Sequence, residues 1–124
     1  MAAASLDLTL EQGATFTRTL TFRDSLNALV DLTGQTFRGS IRKYATDSDV
    51  VASFTFVLAN QTTDTGEVTM SLPAATSSAI VLQAQSSATR STEAFCYDVE
   101  RVFADLSVER VLQGLINISP EATK

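Results

Sequence analysis

The chain has 124 residues, 44% apolar and 19% charged, with seven Phe, one Cys, no His and no Trp, and a formal net charge of −5. That length suits one domain, residues 1–124, able to bury roughly two thirds of its unfolded surface, and the apolar content excludes a disordered chain. An acidic balance argues against a nucleic-acid partner, which calls for a basic face; the lack of His removes Ser-His-Asp triads and most zinc sites.

At the start, "MAAASLDL" lacks the basic residues and apolar stretch of a signal peptide, and no later apolar run approaches the roughly 18 residues of a membrane span. Neither export by that route nor a membrane partner is expected. Leu6 to Leu10 reads as a first strand. Residues 15–23, "TFTRTLTFR", alternate strictly: Phe16, Arg18, Leu20 and Phe22 share one face, and Thr15, Thr17, Thr19 and Thr21 share the other. This period of two predicts a half-buried strand, with Arg18 near an end of its sheet and its head in water.

Asp24, Ser25 and Asn27 then break the pattern with side chains that favour turns. Across "LVDLTG", Leu29, Val30 and Leu32 serve as apolar plugs around a corner where Asp31 accepts from the following amides and Gly34 supplies a positive φ. Thr36 to Tyr44 resumes alternation with Phe37, Gly39 and Ile41 inward. Val50 to Leu58 follows with Val50, Ala52, Phe54, Phe56 and Leu58 inward, and Glu67 to Leu72 with Val68, Met70 and Leu72 inward.

Pro73 opens a short helix as its first residue, around Ala75, Ala79, Ile80 and Leu82, with "QSSATRS" as a loop. "AFCYDVERVF" and "SVERVLQGLINIS" form a long antiparallel hairpin turning at Ala104 to Ser107. Phe95, Tyr97, Val99 and Phe103 face inward in its first arm, and Leu112, Gly114, Ile116 and Ile118 in its second. Pro120, without an amide hydrogen, ends the ladder. About seven strands and one short helix imply an all-β fold, an antiparallel two-layer β-sandwich of Ig-like or Greek-key type, with a small closed barrel as the alternative.

Chemistry-bearing groups are sparse. Cys96 is alone and, with no base to lower its pKa, is expected as a buried small hydrophobe. Asp98 and Glu100 lie two apart on one strand face, a carboxylate pair that suits solvated charges bonded to Arg on a neighbouring strand better than glycoside hydrolysis. Asp47 and Asp49 resemble a fragment of a calcium loop but lack its glycine and distal glutamate. Arg38, Arg42 and Lys43 are the densest basic group and read as solvated strand positions. Tyr44 beside Arg38 and Arg42 offers a weak carbohydrate-binding alternative. Gly39 and Gly114, both mid-strand, mark bulges or close backbone approach. No catalytic, cofactor or metal residue is assigned, and an enzyme is not expected.

Taken in order, the elements resemble a family of small tailed-bacteriophage virion proteins and are similar to the N-terminal domain of phage baseplate upper proteins. The matching stretches are "LDLTLEQGATF", Phe22-Arg23-Asp24, "VDLTG", "SIRK", "GEVTMSLP" before the helix, Tyr97-Asp98-Val99 and "RVLQGLINISPE". The resemblance spans nearly the whole chain. It implies a non-enzymatic β-sandwich of the virion, assembled in the host cytoplasm, that docks on tail, baseplate, fibre or capsid subunits and helps place fibres or receptor-binding proteins; repeated copies within the particle are compatible with it. The chain stops soon after the domain, without the long extension of the baseplate protein. Baseplate, fibre attachment, neck and a capsid-decorating role on the head surface therefore stay open.

Overall fold

The computed structural model describes residues 3–82 and 92–121. Its elements are β1 (Ala4–Ser5), β2 (Leu8–Glu11), β3 (Phe16–Thr21), β4 (Thr36–Arg42), β5 (Ala52–Ser53), β6 (Thr55–Leu58), β7 (Glu67–Leu72), α1 (Ala74–Ser78), β8 (Glu93–Val102) and β9 (Val108–Ser119). Two sheets face each other. One has six strands in the order β1-β9-β8-β4-β5, with β2 also on β9; the other has three, β3-β7-β6. With β3, β7 and β6 over β4, β8 and β9, the connectivity is that of an immunoglobulin-type sandwich.

Alternating apolar positions put Ile41, Met70, Leu72, Val99, Ile116 and Ile118 between the layers, all fully buried. Each such side chain contributes about 1.5–3 kcal/mol of transfer free energy, so this interior dominates stability. Phenylalanines bridge the sheets: Phe16 meets Phe54 at 5.9 Å between ring centroids, Phe54 meets Tyr97 edge-on at 6.2 Å, and Phe37 lies 5.4 Å from Phe22 and 5.9 Å from Phe56.

Several expectations need correction. The sandwich is not antiparallel throughout, because β1 and β2 both run parallel to β9. The first strand, expected over Leu6 to Leu10, starts only at Leu8 and is preceded by the separate pair Ala4–Ser5. The run Val50 to Leu58 is two strands: β5 pairs with β4, β6 pairs with β7, and buried Phe54 lies at the crossing. Val50, expected inward, precedes β5 and is 45% exposed.

Pro73 precedes the helix instead of starting it, since its ψ of 151° is extended. The helix ends at Ser78, and its buried residue is Ser77, not an apolar one. The Ser77 hydroxyl accepts from the Gly13 amide at 2.9 Å and donates to the Ala14 carbonyl at 2.8 Å, tying α1 to the β2–β3 turn. Beyond α1, Ile80 is buried and Val81 is not. The loop expected at residues 85–91 lies outside the described residues.

The "VDLTG" corner forms as expected at its centre. Leu32 is fully buried, the Asp31 carboxylate accepts from the Thr33 amide at 2.9 Å and hydroxyl at 2.6 Å, and Gly34 has φ +80°. Leu29 is no plug, being 45% exposed where it bridges Arg23. Gln61 supplies what the local sequence did not reveal: its Oε1 accepts from the amides of Leu32 and Gly66 at 3.1 and 2.9 Å, joining two loops at one end of the sandwich.

Candidate interaction surfaces

On the outer face of the six-stranded sheet, charges meet across strands. Arg38 of β4 stands opposite Glu100 of β8 and bonds it at 2.8 Å, and Arg110 of β9 lies 3.6 Å from Asp98. Lys43 reaches Glu93 at 3.1 Å and the Ala94 carbonyl at 2.9 Å. Asp98 and Glu100 are thus each held by an Arg on a different neighbouring strand, as the sequence suggested.

Cys96 is not a core residue. It alternates with buried Phe95 and Tyr97, so it faces outward and half-buried, where its Sγ donates to the Arg42 carbonyl at 3.3 Å. Ser40, Arg42, Cys96, Asp98 and Gln113 line a shallow depression of about 390 Å3 here. Arg42 is committed to the Asp47 carbonyl at 2.8 Å and Arg38 to Glu100, while Tyr44 stands 62% exposed beyond the strand end. The three groups of the carbohydrate alternative therefore do not converge. Among the described residues, no three of the His, Cys, Asp or Glu side chains group as a metal site needs, Asp47 and Asp49 included. No helix among them is long and apolar enough to cross a membrane.

A second feature was hidden in the hairpin. A register shift between Val99 and Glu100 sets Leu112 opposite Val99 but Arg110 opposite Glu100, so Val111 is an extra residue on β9. An added residue inverts the alternation beyond it. Glu109 consequently turns to the same face as Arg101 and bonds it at 3.0 Å. The Arg101 guanidinium lies 4.5 Å from the Phe103 ring centre and 5.5 Å from that of Phe22, and its buried Nε has no acceptor among the described residues. A signal existed: "VERVFADLSVERV" places opposite charges symmetrically about the turn.

Arg101 borders a groove of about 540 Å3 between the sheets, lined also by Leu20, Phe22, Val30, Val111 and Leu112. Arg18, on the inward face two residues before Leu20, is exposed as expected and sits on the end strand of its sheet. It lies in the middle of β3 opposite Met70, and it is exposed because β3 is an edge strand that the other sheet does not cover at that point.

Further along the β9 margin of the six-stranded sheet, the N-terminal segment lies against Gly114. The Leu6 amide donates to the Gln113 carbonyl at 2.9 Å, and the Asp7 carboxylate accepts from the Leu115 amide at 3.1 Å. The Tyr97 hydroxyl donates to the Leu6 carbonyl at 2.6 Å. Burial pushes the Tyr97 phenol up to about 12, an effect that Asp7 adds to and Arg18 opposes. This phenol is therefore a donor that holds the chain and not a proton shuttle at neutral pH. Compared with known proteins, the chain matches no protein-family model and no curated protein sequence.

Proposed function

We propose that this protein is a non-enzymatic structural component of a tailed-phage particle, an adaptor of the tail, baseplate or fibre attachment. The sequence resemblance over nearly the whole chain supports the reading, and the sandwich is a scaffold compatible with it. The observation that carries it is the surface. The outer-face charges are paired along the strands, while β3 at one edge has a row of backbone groups that no strand among the described residues covers. A rigid body with bonded faces and an open edge suits a fixed place between subunits. Its partners on this reading are other virion subunits, and its location is the virion, assembled in the host cytoplasm.

Quantitative mass spectrometry of purified particles tests the proposal: the protein is expected at a constant ratio to the major tail subunit. Its loss on gradient purification removes the reading. Antibody labelling in electron micrographs is expected on the tail, and labelling over the head instead moves the protein to capsid decoration.

A further inference from the structure

β3 has β7 as its only strand neighbour among the described residues. The Phe22 amide donates to the Gly66 carbonyl at 2.8 Å, which turns Phe22 and, at steps of two, Leu20, Arg18 and Phe16 toward β7. On the far side of β7, the Ala59 amide donates to the Glu67 carbonyl at 3.1 Å, so Glu67, Thr69 and Ser71 turn to β6, in agreement with that phase. Thr17, Thr19 and Thr21 therefore aim their amides and carbonyls at the open edge. No proline or bulge blunts it.

Beside this edge lies the apolar groove of Leu20, Phe22, Val111 and Leu112. At the opposite side the chain crosses between the sheets, β5 running into β6 across Phe54, and the edge left there by β6 is shorter, four residues against the six of β3. We infer that β3 and the adjoining groove receive an extended segment of a partner subunit, about six residues long, with alternating apolar side chains and a carboxylate. The edge dictates an extended backbone, whose amides and carbonyls pair with those of Thr17, Thr19 and Thr21. The groove takes the inward side chains of the added strand.

Charge selects the carboxylate. Arg18 forms no ion pair among the described residues, and the groove's acidic groups are already engaged: Asp24 accepts from the amides of Leu26 and Ala28, and Glu109 bonds Arg101. A second copy of this chain fits less well, because a symmetric β3–β3 pairing centred near Arg18 gathers two unpaired guanidinium groups without a counter-charge. The inference goes beyond a place in the virion and does not require it.

The test titrates the full chain with a synthetic hexapeptide of alternating valine and threonine carrying one central glutamate, followed by amide NMR and hydrogen exchange. The expected result is rapid exchange at Thr17, Thr19 and Thr21 in the free protein and at least tenfold slowing with peptide. Exchange at Arg18 and Leu20, already bonded to β7, should be slow in both. Thr19→Pro removes only an outward amide, so the fold is kept and binding falls at least tenfold. Arg18→Glu is expected to reverse preference toward a peptide with lysine in place of glutamate. Slow exchange at the three threonines before peptide is added, shifts confined to other strands, undiminished binding by Thr19→Pro, no binding at millimolar peptide, or concentration-dependent dimerisation through β3 each overturns the inference.

Discussion

Gly114→Ala is the substitution whose cost can be worked out most directly. A Cβ at this position runs into the Leu6 carbonyl, with the Asp7 carboxylate close behind it, and the backbone oxygen cannot swing aside as a side chain would. The segment through Leu6 and Asp7 has to lift from β9. Three hydrogen bonds depend on that approach: Leu6 to Gln113, Tyr97 to Leu6, and Leu115 to Asp7. At about 1 kcal/mol net for each, the loss is about 3 kcal/mol, reduced by about 0.5 kcal/mol because alanine restricts the unfolded chain more than glycine. Urea unfolding followed by far-UV circular dichroism is expected to register a destabilisation of about 2–3 kcal/mol. Tyr97→Phe alone should cost about 1–2 kcal/mol, since it leaves the Leu6 carbonyl without its donor. In the Gly114→Ala background that second cost should nearly vanish, because the bond is already broken. A Gly114→Ala protein within about 0.5 kcal/mol of the parent, or strictly additive costs, would refute the proposed clamp.

Arg101→Ala should lower stability by about 2–3 kcal/mol by stranding Glu109 between the sheets, whereas the double change Arg101→Met with Glu109→Leu should restore most of it; equal losses in the two proteins count against a partly buried pair. Leu106 has φ +72° and is 79% exposed, so Leu106→Asn should stabilise by about 0.5 kcal/mol in the same urea assay, and a lowered midpoint argues against strain there. Hydrogen bonds from the Thr33 side chain and amide hold the Asp31 carboxyl below its ordinary value of 3.8, and those from Ser107 do the same for Asp105. Folding favours both charged forms, so their contribution is complete above the unfolded value and is lost as pH falls through the lowered folded values. Between about pH 5 and pH 2 the thermal midpoint of an Asp31→Asn, Asp105→Asn protein should fall less steeply than the parent's, and parallel curves would contradict the assignment.

Much of this fold can be read in one dimension. A strand's two faces follow from backbone geometry within a few residues, which is why the inward positions in β4, β7 and most of β8 and β9 match the alternation of Phe37 and Ile41, of Val68, Met70 and Leu72, and of Phe95, Tyr97 and Val99. Turn chemistry is equally local, so Asp31 and Gly34 announce their corner. The interaction surfaces were less visible. Nothing near Thr17, Thr19 and Thr21 distinguishes an edge strand from a central one; edge status depends on where every other strand goes.

The same reason accounts for the departures. Alternation states which side chains share a face, but not which strand lies alongside or in which direction it runs. Leu8 and Leu10 had to be inward in either direction, and only assembly with Ile116 and Ile118 made the pairing parallel. Phe54 had to be buried whether its run belonged to one sheet or two. Cys96 took the outer face because Phe95 and Tyr97 claimed the inner one, and Glu109 reached Arg101 because one extra residue at Val111 inverted the alternation. Local stereochemistry sets the pleat and the corners; distant partners, competing for a limited interior and a limited number of unpaired backbone groups, set the neighbours.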